Sequence, residues 1–239
     1  GFSIMDAADT LGVLRDVLKK SGPDAVAAAE ATQWRISSWK NAMLTPQQAA
    51  AQAADPLERA GAHAYELYVR ALKAYNAVDF DDLILLPVQF FDQVPERVQE
   101  WRDRLGYLLV DEYQDTNGAQ NELLHLLAAF WDKPNLFIVG DDDQSIFEFQ
   151  GARLKNLVDY YEQYQEQIKV VLLQQNYRST QAVLDAAGGL ITHNEQRITR
   201  HLADLGIEKN LKAALPLRQA SVVVPEVLVY PNSFQEAVA

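Results

Sequence analysis

The stretch Leu108-Leu109-Val110-Asp111-Glu112-Tyr113-Gln114-Asp115-Thr116-Asn117 constrains the fold more than any other part of the chain. Three apolar residues run into two adjacent carboxylates and then into a polar turn. That pattern describes a buried strand delivering acids to the end of a parallel sheet. Neighbouring carboxylates at a strand end have two uses: one can hold Mg²⁺ through oxygen, and the other can orient or deprotonate an attacking water. A strand followed by an acidic, helix-capping loop leaves the same signature, so the flanking segments must decide between the two.

Composition limits the field without deciding it. A chain of 239 residues, 49% apolar and 23% charged, is long enough to bury a core and belongs to one or two ordinary globular domains. No apolar run approaches the roughly 18 residues of a membrane helix. Residues 1–20 carry acids early and lysines late, the reverse of a secretory leader. Without cysteine there are no disulfides and no thiolate-bound metal. His63, His125, His193 and His201 lack the close pairing of a zinc site and are read as surface or packing residues. The net charge of −12 and pI of about 4.7 argue against a broad basic face that neutralises phosphates. They leave room for a local groove or for binding through base stacking.

Residues 1–75 read as helical. Asp6 caps a helix with Leu11, Leu14, Val17 and Leu18 on one face, and Asp24 to Thr32 predicts a second. Trp34, Trp39 and Met43 surround Lys40-Asn41, a mixture that suits either nucleic-acid contact or packing between small helices. Thr45-Pro46-Gln47-Gln48 is a capping box, and Asp55-Pro56 opens a long helix with Leu57, Ala60, Ala64, Leu67, Tyr68, Ala71, Leu72 and Tyr75 along one side. Val78-Asp79-Phe80-Asp81-Asp82-Leu83-Ile84 reads as the acidic cap of a further helix. From Gly106 strands and helices alternate: strands at 108–110, 136–139 and 170–173, helices at 119–130, 154–164 and 181–194. This half is α/β with a parallel sheet. Ser221–Val224 and Val227–Tyr230 read as two more strands.

Three strand ends carry the chemistry. The first gives Asp111-Glu112, the second Gly140-Asp141-Asp142-Asp143-Gln144-Ser145-Ile146-Phe147-Glu148-Phe149-Gln150-Gly151-Ala152, and the third Gln175-Asn176-Tyr177-Arg178-Ser179-Thr180. The carboxyl ends of parallel strands form the ligand crevice. A carboxylate pair, an amide and an arginine converging there would suit a nucleotide polyphosphate with Mg²⁺.

In this order and spacing the three segments resemble motifs II, III and IV of superfamily 1 DNA helicases of the UvrD/Rep/PcrA type. The resemblance implies a P-loop NTPase (RecA-like) α/β fold with a partial parallel sheet and an inserted all-α subdomain. It divides the chain into a helical 1B-like insertion at 1–77, the RecA-like 1A domain with motifs II to IV at 78–215, and the start of the second RecA-like domain at 216–239. It implies ATP and Mg²⁺ as cofactors, single-stranded DNA and DNA junctions as partners, and a cytoplasmic protein that couples ATP hydrolysis to movement on DNA in repair, replication or recombination. By the same resemblance Asp111 sits on Mg²⁺, Glu112 is the catalytic base, and Gln144 senses the γ-phosphate and links it to DNA. Phe147 and Phe149 stack on single-stranded bases unless they are core aromatics, Tyr177 stacks on adenine, and Arg178 contacts the γ-phosphate.

Two departures stand out. Gln150-Gly151-Ala152 replaces the family's usual Arg-Gly-Ala, removing a guanidinium from the crevice or the DNA path. No Gly-x-x-x-x-Gly-Lys-[Ser/Thr] loop occurs, which places the family's phosphate-cradling loop before residue 1 and motifs V and VI beyond residue 239. Together with Gly in place of Met at position 1, this leads us to expect an internal fragment that does not hydrolyse ATP by itself. A subunit of a RecB- or AddA-like helicase-nuclease and a degenerate helicase-like protein-binding domain remain the alternative readings. A strand expected beside Leu108–Val110 is missing, so an apolar sheet edge is open and the isolated chain should be marginal or self-associate. Gel filtration checks this: oligomers or a broad profile are expected, and a stable monomer with a cooperative melt would count against it.

Overall fold

The computed structural model describes residues 1–129, 131, 133–145, 154–164, 167–194, 209–221, 223 and 225–231. They form two compact units, 1–163 and 164–239. That boundary falls elsewhere than the divisions at 77 and 215 that the family resemblance implies.

The first unit begins with a helical assembly whose ends follow the capping signals. β1 (Ser3–Ile4) leads into α1 (Ala7–Leu18), where Asp6 and Asp9 form a reciprocal capping box. The helix expected over Asp24–Thr32 is instead two: α2 (Pro23–Ala27) stops at Ala28, and α3 (Ala29–Asn41) restarts one residue later. Ala28 has φ −83° and ψ 6°, so an alanine-rich run that favours helix locally is still broken there, which propensity could not show. Thr45 with Gln48 caps α4 (Pro46–Gln52), and Asp55 caps α5 (Pro56–Ala74). Along α5 the buried face is Gly61, Ala62, Ala64, Tyr65, Tyr68 and Leu72, while Leu57 at the first turn faces solvent. Small residues on that face bring the helices close: a Cβ on Gly61 would meet the Trp39 ring at 3.2 Å. Leu14, Leu18, Ile36, Ala49, Tyr65, Tyr68 and Leu72 form the core of this half, and Trp39 stacks on Tyr65 at 6.0 Å.

This half is not purely helical. β2 (Ala77–Val78) pairs in parallel with β1, clipping the start of the chain to the end of α5. Just beyond β2 lies the strongest electrostatic feature of the unit. Lys40 of α3 is 1% exposed, and its Nζ donates to Asp79 Oδ2 and Asp82 Oδ1, each at 2.7 Å. Tyr68 donates its hydroxyl to the same Asp79 oxygen at 2.9 Å, and the Lys40 ammonium lies 5.3 Å from the Tyr68 ring centre. Asp79 Oδ1 accepts from the Asp82 amide at 2.9 Å, at the start of the next helix, but Asp81, which immediately precedes that helix, makes no side-chain cap hydrogen bond. The main engagement of the acidic segment is with a buried cation 39 residues earlier in sequence than Asp79. Burial pushes the carboxyls of Asp81 and Asp82 above the ordinary carboxylate value, with Lys40 opposing that rise at both.

α6 (Asp82–Gln93) and α7 (Pro95–Arg102) lead to the α/β part. β3 (Leu108–Val110) and β4 (Leu136–Ile138) are parallel, joined through α8 (Gly118–Ala128), and α9 (Leu154–Tyr164) follows. Strand, helix and strand therefore alternate as the pattern predicts. Leu109 and Phe137 pair in register and are 75% and 63% exposed, so this face of the two-stranded sheet is uncovered among the described residues.

The second unit departs more from expectation. Val170–Leu173 form no strand; the ladder lies just after, where β5 (Gln175–Asn176) pairs in parallel with β6 (Lys212–Ala213). Apolar character alone does not make a strand without a partner for its amides, and here the partner meets Gln175 and Asn176. The described residues of 221–230 form no strand either, and Val227 and Val229 are exposed. α10 (Gln181–Ile191) confirms the expected helix, and a short α11 (Pro216–Gln219) follows β6. Among the described residues no helix is long and apolar enough to cross a membrane.

The buried ammonium gives a direct test. Lys40→Met leaves Asp79 and Asp82 without their cation and is expected to cost about 3–5 kcal/mol in urea unfolding. A loss below about 1 kcal/mol would show that the cluster is solvated or replaceable.

Candidate nucleotide-hydrolysis site

Parallel pairing of β3 with β4 sets the ends of both strands, and the loops after them, side by side. The ladder then does something specific. Val139 donates its amide to the Val110 carbonyl at 2.8 Å, and its own carbonyl accepts from the Tyr113 amide at 3.0 Å. The residue that follows β4 thus engages Val110 and Tyr113, and the two residues between them, Asp111 and Glu112, are left out of the ladder and exposed. The excursion puts Glu112 in the left-handed region at φ 49°, ψ 43°. Such a conformation costs a non-glycine residue on the order of 1–3 kcal/mol and persists only where its surroundings enforce it. Asp111 Oδ1 accepts from the Glu112 amide at 2.9 Å.

Behind the acids the loop is anchored by buried side chains. Tyr113 is buried, donates its hydroxyl to Asn121 Oδ1 of α8, and meets the Tyr160 ring of α9 edge-on at 6.0 Å. Thr116 donates its hydroxyl to the Tyr113 carbonyl at 2.7 Å, while the buried Asn156 amide of α9 donates to the Thr116 carbonyl at 3.0 Å. Asn117 caps α8 and donates Nδ2 to Asn41 Oδ1, at the end of α3, at 2.7 Å.

Gln114 joins the two loops. Its side chain is 1% exposed; Nε2 donates to Glu112 Oε2 at 2.7 Å, and Oε1 accepts from the Asp141 amide at 3.0 Å. Glycine at 140 leaves space for this, because a Cβ there would stand 2.9 Å from Gln114 Oε1 and push it aside. Asp141 in turn accepts from the Asp143 amide at 3.1 Å and, through Oδ2, from Gln144 Nε2 at 2.6 Å. The carboxylates of Asp141, Asp142 and Asp143 lie within 4.8 Å of one another. Asp115 is half-buried, yet its Oδ1 is sealed from solvent with no hydrogen-bond partner among the described residues. That burial first, and the neighbouring Glu112 charge second, push its carboxyl above the ordinary value.

The structure therefore brings Asp111, Glu112 and Gln144 to adjoining loops, with both acids and the amide exposed. Phe147 and Phe149, together with Gln150, lie outside the described residues. Tyr177 and Arg178 belong to the second unit. There Asn176 Oδ1 accepts from the Arg178 and Ser179 amides at 2.9 and 2.7 Å, Tyr177 donates to Gln175 Oε1 at 2.8 Å, and Arg218 donates to the Arg178 carbonyl. Both side chains are exposed. Gln114, Gly140 and Asn156 are the residues the sequence reading missed. The first two stand inside the quoted segments, but nothing in a linear sequence marks that an amide on one loop reaches a backbone on another.

Comparison with known proteins identifies the chain's relatives. The family description "UvrD/REP helicase N-terminal domain" matches residues 1–165, ending two residues past the boundary of the first compact unit. The chain is 42% identical over 212 residues to the ATP-dependent DNA helicase Rep of Escherichia coli K12, covering 88% of this chain and 31% of that protein. It is 38% identical over 238 residues to the ATP-dependent DNA helicase PcrA of Staphylococcus epidermidis, covering 97% of this chain and 32% of that protein. The chain thus spans about a third of the length of the curated relatives it matches. By the family match over most of its length and these identities, the chain belongs to the UvrD/Rep helicase family.

Proposed function

We propose that this chain is part of an ATP-dependent DNA helicase or translocase, and that Asp111, Glu112 and Gln144 are its share of the ATP-hydrolysing centre. One observation carries the reading. The Val139 backbone holds Val110 and Tyr113 and projects the carboxylate pair, at a conformational cost, beside the loop that bears Gln144. A loop needed only to cap α8 would not require this, since Asn117 already supplies that cap.

The donor chemistry fits magnesium-bound ATP. Asp111 offers an exposed carboxylate, the hard oxygen that Mg²⁺ takes, and only its Oδ1 is engaged by a hydrogen bond among the described residues. Bound at this site, magnesium-ATP supplies the phosphoanhydride whose hydrolysis drives movement. Glu112, exposed and held from behind by Gln114, accepts the proton of the attacking water. Gln144 reads the terminal phosphate, with its amide nitrogen held toward Asp141. Arg178 and Tyr177 are exposed in the second unit, and their roles toward the γ-phosphate and the adenine rest on the family resemblance alone. Phe147 and Phe149 provide faces on which single-stranded bases stack, a contact indifferent to sequence and suited to an acidic protein.

The same reading assigns residues 1–77 to a helical insertion and the following α/β segment to the first RecA-like domain. It places that domain at 78–215 and the start of the second RecA-like domain at 216–239. The names of the relatives support ATP and DNA as ligands. Single strands and junctions as the preferred DNA, and a cytoplasmic place of work, rest on the family resemblance.

The test is DNA-stimulated ATPase by the full-length gene product and its Glu112→Gln variant. Loss of the general base is expected to lower kcat by about 10²- to 10⁴-fold. Nucleotide binding should be retained, and equal rates in the two proteins would remove Glu112 as the base.

A further inference from the structure

The Gln114 side chain is buried, uncharged and distant from any role that ATP chemistry assigns directly, yet both ends of its amide are used. Its nitrogen holds the Glu112 carboxylate at 2.7 Å and its oxygen holds the Asp141 amide at 3.0 Å. Asp141 holds the Gln144 side chain at 2.6 Å. A continuous hydrogen-bonded path, Glu112–Gln114–Asp141–Gln144, thus runs from one loop to the other. Three further features fix it in place. The glutamine lies where only a glycine at 140 leaves it undisturbed, since a Cβ there would stand 2.9 Å from its Oε1. Glu112 sits in a left-handed conformation and needs an external hold. The turn that carries Gln114 is itself clamped at Tyr113 and Thr116.

We propose that Gln114 is a positioning residue that couples the two loops. It orients the Glu112 carboxylate according to the placement of the loop that bears Gln144. This rests on the ATPase reading above and deepens it: a shift of the Gln144 loop is transmitted through the Asp141 amide to the oxygen that takes the water's proton. A glutamine suits the task because it donates at one end and accepts at the other. A carboxylate could hold the Asp141 amide but would repel Glu112, and an aliphatic side chain could fill the space but would hold neither.

The experiment uses DNA-stimulated ATPase of the full-length gene product, with thermal melts to confirm folding. Gln114→Met keeps the volume and removes both hydrogen bonds. It is expected to lower kcat by about ten- to a hundredfold, the range for losing a partner that orients a reactive group, with KM for ATP changed by less than about threefold. Gln114→Glu retains an acceptor for the Asp141 amide, so a merely structural role would survive it; the same kcat loss is expected. In the Glu112→Gln background, Gln114→Met should add less than about a twofold further loss, because a residue acting through Glu112 has nothing left to position.

Wild-type kcat in folded Gln114→Met or in Gln114→Glu would overturn the coupling. So would an undiminished further loss in the Glu112→Gln background. All three results leave the loss in Glu112→Gln itself intact, and with it the ATPase reading. Full activity in Glu112→Gln would overturn that reading, and the coupling with it.

Discussion

Two backbone hydrogen bonds from one residue, Val139, determine most of what this chain presents to a ligand. A regular ladder would have alternated Asp111 and Glu112 across the sheet, one to each face. Because Val139 holds Val110 and Tyr113 together, both acids are instead expelled at the strand end. Everything nearby serves that excursion: the left-handed Glu112 backbone, the Gln114 bridge, the glycine that admits it, and the Tyr113 and Asn156 contacts that tie the turn to α8 and α9. The carboxylates are exposed, but the frame that aims them is buried.

The helical half is joined to this frame by polar contacts as well as by packing. Asn41, the last residue of α3, meets Asn117 at the start of α8, and Lys40 beside it is buried against Asp79 and Asp82. A buried cation with two carboxylate partners is not a cheap source of stability, since desolvation offsets much of the attraction. It does fix geometry. The end of α3 cannot slide against α6 without leaving a charge unpaired, and the same end of α3 touches the loop that carries the acids. The acidity of the sequence, which argues against a broad DNA-binding face, is partly spent in this internal cluster.

Local signals were legible in the sequence where one segment contains its own cause. The capping residues Asp6, Thr45 and Asp55 start their helices, and the strands expected at 108–110 and 136–139 form, the second over 136–138. Asp111, Glu112 and Gln144 were singled out through the resemblance of their segments to a known family, and the structure sets them on adjoining loops. What failed depended on distant partners. Val170–Leu173 had strand composition but pair with no strand among the described residues, and the ladder formed instead at Gln175–Asn176. Asp79 to Asp82 read as a cap because Lys40, which they enclose, is 39 residues away from Asp79. Gln114 read as a polar turn residue because its second partner, the Asp141 amide, is 27 residues on. Short-range chemistry can be read along the chain, whereas a buried polar bridge appears only when the two strands are set side by side.

If the two loops form one mechanical unit, they must open as one. Native-state amide hydrogen exchange measures this residue by residue. The amides of Tyr113, Val139 and Asp141, donors to Val139, Val110 and Gln114, are predicted to share one opening free energy, and to lose protection together in Gln114→Met. Fast exchange at Asp141 with full protection at Tyr113, unaltered by that substitution, would contradict the account by showing that the loops move independently.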